Sequence, residues 1–120
     1  MAIEVDLATQ AVLTRTYRAF NARDIETVLE VMHPEVAWPN GLEGGYVYGH
    51  QGIRDYWTRQ WGLIDPHVEP HGFEIAEDGR IVTHVQQVVR DLDGHLLFDG
   101  PVQHIYLIRD GYIKHMEIRT

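Results

Sequence analysis

The chain contains neither cysteine nor serine. Without cysteine there can be no disulfide, no thiolate chemistry and no sulfur-ligated zinc. Without either residue the usual acyl-transfer nucleophiles are missing. Positive charge is also scarce: ten Lys and Arg stand against eighteen Asp and Glu, for a formal net charge of -8. Nucleic acid and anionic membranes bind through basic patches and are therefore not expected partners. No apolar run approaches the roughly 18 residues of a membrane span. The opening Met1-Ala2-Ile3-Glu4-Val5-Asp6 has no basic patch and no long apolar block, so no secretory leader is expected. A cysteine-free chain suits a reducing, cytoplasmic location. What remains is ordinary for a globule: 120 residues, 44% hydrophobic, 23% charged and 10% aromatic. That is enough for one domain, residues 1–120, with one core.

The spacing of apolar residues predicts three helices followed by strands. The first helix is expected from Leu7 to Ala22, capped by Asp6, with Leu13, Tyr17 and Phe20 on one face. The second is expected from Ile25 to Met32, capped by Asp24 and stopped by Pro34. Glu35 to Trp38 alternates as a short strand. Asn40 to Gly49 holds four glycines and reads as a loop, with a short hairpin around Tyr46 and Tyr48. Gln51 to Gly62 is a third helix. Strands are then expected over Glu69–Glu77, Arg80–Leu92, His95–Arg109 and Tyr112–Ile118, joined at Asp78-Gly79, Asp93-Gly94 and Asp110-Gly111. The plan is α+β, with the helices packed on a strongly curved, largely antiparallel sheet.

Three stretches carry a family resemblance: Tyr17-Arg18-Ala19-Phe20-Asn21-Ala22-Arg23-Asp24, His33-Pro34-Glu35-Val36-Ala37-Trp38, and Tyr48-Gly49-His50-Gln51-Gly52-Ile53-Arg54-Asp55-Tyr56-Trp57. With the closing Arg109-Asp110-Gly111-Tyr112-Ile113, the chain resembles the SnoaL-like branch of the nuclear transport factor two-like superfamily. The resemblance implies a conical α+β barrel around a small-molecule cavity, no cofactor, and a homodimer through the outer sheet face. It does not imply one activity, because the fold hosts isomerases, cyclases, dehydratases, hydrolases and non-catalytic binders. Related ketosteroid isomerases use an aspartate base with an oxyanion hole of a tyrosine and a neutral aspartic acid. Aligned on Asn21-Ala22-Arg23-Asp24, the family tyrosine falls on Thr16, with Tyr17 one place away. The base falls on Asn40 and the neutral acid on Gln103, just before His104. An amide cannot take a proton, which argues against steroid-type isomerisation, although a glutamine can still donate a hydrogen bond.

The expected ligand site follows. Trp38 and Asn40 share a strand face, as pocket wall and orienting amide or as core tryptophan and turn asparagine. Tyr56, Trp57, Gln60 and Trp61 form one helical stripe, in which Gln60 needs a partner. Gln103, Ile105 and Leu107 are expected inside, leaving His104, Tyr106 and Ile108 as the dimer face. Gln87 is expected inward, and so are Lys114, Met116 and Ile118. If a proton-transfer group exists, the candidates are His33, Glu43, His50 and Asp99, each beside a loop. His67 and His71 lie four apart, but Pro66 and Pro70 forbid the helix that would join them, and no metal site is expected. Gly41, Gly44 and Gly45 lack the lysine of a phosphate loop. The expected ligand is an apolar or aromatic small molecule. A catalyst using acid–base chemistry, a binder and a dimeric interaction module all stay open.

Overall fold

A computed structural model describes residues 5–120. The expectation about a leader rests partly on Met1–Glu4, which lie outside the described residues. Helix α1 spans Leu7–Asn21, α2 Ile25–Leu29 and α3 Gly49–Trp61. Strands β1 (Met32–Pro39), β2 (Tyr46–Tyr48), β3 (Ile64–Ile75), β4 (Ile81–Asp91), β5 (Leu96–Arg109) and β6 (Tyr112–Arg119) form one sheet in the order β2-β1-β6-β5-β4-β3. All neighbours are antiparallel except β1 and β6. The α+β reading holds, but the expected barrel does not close: β2 and β3 remain free edges.

Local chemistry sets the helix ends. Asp6 accepts a hydrogen bond from the Thr9 amide at 2.7 Å and starts α1. Asp24 accepts from both the Thr27 amide and its hydroxyl and starts α2. That helix ends three residues before the expected Met32. Met32 is instead buried in β1, level with Ile113 of β6, and the Val31 carbonyl accepts the Ile113 amide. Pro34 therefore sits inside a strand. It lies between the Met32 and Ala37 pairings, where the β1–β6 register shifts, so its missing N–H breaks no regular ladder.

Strand β3 also starts earlier than expected, at Ile64, and carries Pro66 and Pro70. Parity explains the tolerance. Val68, midway between them, turns its N–H and C=O to the free edge, where both meet the Asn21 side chain (3.0 and 2.7 Å). Pro66 and Pro70 face the same edge and so lack only N–H groups that no strand would have received. The expected turns at Asp78-Gly79, Asp93-Gly94 and Asp110-Gly111 are present. At the last, Asp110 and Gly111 both have positive φ (55° and 82°), as a two-residue hairpin turn matched to strand twist requires.

Two strand faces differ from expectation. The pairs Val85–Val102, Thr83–His104 and Ile81–Tyr106 put His104 and Tyr106 on the concave face with buried Thr83 and Val85. Gln103 and Leu107 consequently point to the outer face. On β6, Met116 and Ile118 face inward as expected. Lys114 instead falls where the β5–β6 register shifts and reaches Glu35 at 3.1 Å.

Candidate functional site

Helices α1 and α3 cover the concave face without filling it. A cavity of about 240 Å³ remains between them and the sheet. Its aromatic wall is a set of edge-on contacts: Trp38 to Trp57 at 5.5 Å, Phe20 to Trp57 at 5.3 Å, and Trp38 tilted on Tyr106 at 6.3 Å. Such pairs prefer this geometry because the positive ring edge meets the negative face. Met116, Ile118, Val68, Val89 and Pro66 complete the apolar lining from the sheet. Among the described residues, no Asp, Glu, Lys or Arg lines the cavity.

The polar groups are few. The Tyr56 hydroxyl accepts the Gly41 amide at 2.8 Å and fastens the β1–β2 loop over the cavity. Burial pushes the Tyr56 pKa up. One end of the Gln60 amide contacts the same hydroxyl at 3.0 Å, and the other, Oε1, is buried without a partner. Gln87 lines the opposite side. The Thr16 hydroxyl is spent on the Val12 carbonyl one turn back, at 2.8 Å.

The most distinctive group is a buried chain. Tyr106 donates to the Tyr17 hydroxyl at 2.7 Å, and the Tyr17 hydroxyl meets His104 Nδ1 at 2.7 Å. The Tyr17 and His104 rings stack at 5.7 Å. All three residues are at most 5% exposed and line the cavity. Burial depresses the His104 pKa to about 4, so its imidazole is neutral at physiological pH. Burial raises both tyrosines, and the neighbouring Tyr106 raises Tyr17 further.

Of the residues named from the sequence, Thr16, Tyr17, Trp38, Tyr56, Trp57, Gln60, Gln87 and Met116 line the cavity. Asn40 does not. Its Oδ1 caps the amides of Leu42 and Glu43 at 3.0 Å each, which makes it a turn residue. Gln103 does not either, because it lies on the outer face. None of the four expected proton-transfer candidates lines the cavity. His33 accepts the Glu35 amide, His50 donates to the Met32 carbonyl, exposed Glu43 pairs with Arg59, and exposed Asp99 accepts from Gln86. His104 and Tyr106, assigned outward from alternation alone, are the groups that reasoning missed. Their signal was available in the hairpin: an inward Gln87 pairs with Gly100, which forces His104 inward too. Among the described residues, Asp91, Asp93 and His95 could together hold a metal ion. They sit at the β4–β5 turn, where Asp91 already accepts the amides of Asp93 and His95.

A profile of the SnoaL-like domain matches residues 13–116. No curated protein matches the sequence. Among solved structures, TerC co-crystallized with polyporic acid is 28% identical, with a TM-score of 0.80 over 92% of this chain and 89% of that one. An NTF2-like protein of unknown function from Burkholderia pseudomallei K96243 is 22% identical, with a TM-score of 0.81 over 95% and 91%. A ketosteroid isomerase-like fold protein from Catenulispora acidiphila DSM 44928, in complex with trimethylamine, is 14% identical, with a TM-score of 0.77 over 91% and 84%. The last two likenesses speak to the fold alone.

Proposed function

Because the chain belongs to the SnoaL-like family, we propose that it binds an uncharged, largely apolar or aromatic small molecule in the cavity between α1, α3 and the sheet. One observation carries the reading: an aromatic cavity whose lining, among the described residues, holds no Asp, Glu, Lys or Arg. A buried ion there would lack a counter-charge, which is costly, whereas an apolar guest gains from every Å² removed from water. The relative co-crystallized with polyporic acid supports an aromatic guest, and that compound, an acid, serves as the charged comparison for a neutral panel. Thermal-shift screening of a panel of neutral aromatics, with polyporic acid as the acidic comparison that should stabilise less, is the experiment. A ligand at 100 times its dissociation constant stabilises by about 2.7 kcal/mol. The stabilisation should vanish in Val89→Trp, which fills the lining. A panel in which no compound raises the melting temperature contradicts the reading.

A second reading, cofactor-independent isomerisation, cyclisation or dehydration, is favoured by His104. A neutral imidazole in an aromatic wall is a competent proton donor or acceptor. Among the described residues no carboxylate shares that wall, which leaves His104 and the tyrosine hydroxyls for an acid–base step. Turnover of a bound compound that is lost in His104→Gln, while binding persists, is the result that distinguishes catalyst from binder.

A cytoplasmic homodimer through the outer sheet face belongs to the same proposal. Its residues are not the expected His104, Tyr106 and Ile108 but the opposite face of β5, which carries Leu107, with Val82 and Val88 on β4 and Tyr46 tilted against His115 at 5.2 Å.

A further inference from the structure

We propose that His104 is a fixed hydrogen-bond donor whose Nε2–H donates to the carbonyl oxygen of an uncharged planar ligand, with Tyr17 and Tyr106 as the positioning residues that set its tautomer. This deepens, and rests on, the small-molecule reading of the cavity.

The argument is a count of protons. Tyr106, Tyr17 and His104 form a chain with two links, Tyr106 to Tyr17 and Tyr17 to Nδ1, each 2.7 Å long. Suppose Nδ1 accepts. The Tyr106 hydroxyl then donates to the Tyr17 oxygen and the Tyr17 hydroxyl donates to Nδ1, so both hydroxyl protons are placed. The neutral ring must then carry its own proton on Nε2. Suppose instead that Nδ1 donates. Either the Tyr106 proton or the Tyr17 proton must then find another acceptor. Tyr106 is 0% exposed and makes no further hydrogen bond. Thr83, beside the chain on β4, has a buried hydroxyl with no hydrogen-bond partner. Were Thr83 to accept the Tyr17 proton, its own proton would still lack an acceptor, so only the first arrangement pairs both tyrosine protons within the chain itself.

The remaining donor belongs to a cavity-lining ring. Nε2 has no hydrogen-bond partner among the described residues, while Nδ1 is engaged with Tyr17. Burial keeps the ring neutral down to about pH 4, so the donor carries no charge. An uncharged N–H in a lining without cations selects an uncharged acceptor. An anion would gain one neutral hydrogen bond and lose its hydration. A carbonyl on a flat apolar body meets both conditions, because the body fits the wall of Trp38, Trp57 and Tyr106. The tyrosine of this site therefore spends its hydroxyl on the histidine, and the imidazole presents the hydrogen bond to the guest.

Two measurements test this together. Nitrogen-15 NMR of the histidine rings in the intact chain should show His104 as the neutral Nε2–H tautomer from pH 5 to 8, and Tyr17→Phe should weaken that preference. The paired probes are fluorenone and fluorene, which differ by a carbonyl in place of a methylene. Wild type should bind fluorenone about 3- to 10-fold more tightly than fluorene, the worth of one net hydrogen bond. His104→Phe should level the two. An Nδ1–H tautomer, a ring that titrates near 6.5, or equal affinity of wild type for both probes overturns the inference while leaving the cavity reading intact. Failure of both probes and of the neutral aromatic panel to bind overturns the cavity reading, and this inference with it.

Discussion

The Tyr17 hydroxyl is the single atom on which most of the site's polar order depends. It accepts from Tyr106 and contacts His104 Nδ1, both in places closed to solvent. Tyr17→Phe keeps the ring but leaves two buried polar atoms unpaired. It should lower unfolding free energy by about 1–3 kcal/mol in urea titrations, against a small change for the exposed Tyr112→Phe. His104 also makes stability depend on pH. Its folded pKa of about 4 lies below the ordinary 6.5, so between those values the unfolded chain holds the extra proton. Stability from this residue is complete above pH 6.5 and is lost as pH falls towards 4. The gap of about 2.5 pH units corresponds to about 3 kcal/mol. Stability curves of wild type and His104→Asn at pH 7 and pH 4.5 should therefore converge towards the acid side. Parallel curves would show that His104 is not buried as a neutral ring.

At the scale of elements, the end of α1 is tied to the sheet by one side chain. Asn21 offers its amide to both backbone groups of Val68, acting as one residue of a missing neighbour strand on the β3 edge. Asn21→Ala should cost about 1–2 kcal/mol and should speed hydrogen exchange at the Val68 amide far more than at Val85, in the interior of β4. A uniform acceleration at both would contradict a local role. Elements were also where the sequence was most legible. Aspartate caps, apolar stripes and Asp-Gly turns report local backbone chemistry, and they located all three helices and the three closing hairpins. The errors arose where long-range pairing overrides local preference. Met32 looks helical but is taken by β6, and Pro66 and Pro70 look like strand breakers until a free edge is available to receive them. His104 and Gln103 alternate without an apolar imbalance, so face assignment needed the register carried across the β4–β5 hairpin. Asn40, by contrast, carried its turn signal openly beside Pro39 and Gly41.

For the molecule as a whole, the sheet has two destinations. Its concave face meets the helices and leaves a cavity, and its outer face carries Val82, Val88 and Leu107 in a band across β4 and β5. Sedimentation equilibrium should find a dimer at micromolar concentration, with Leu107→Glu shifted towards monomer at unchanged far-ultraviolet dichroism. A wild-type monomer would remove the outer-face proposal and leave the cavity untouched. Family membership could be read from the chain because its motifs lie at helix ends and strand starts. Ligand identity could not, since it is set by side chains that converge from α1, α3, β1 and the sheet. The most direct test of the central claim is methyl NMR during titration with the best neutral aromatic hit. Ring-current shifts should concentrate on Met116, Ile118 and Val89 and spare Leu107 and Val88. Shifts confined to the outer-face methyls, with Met116 and Ile118 unmoved, would mean that no guest enters between the helices and the sheet.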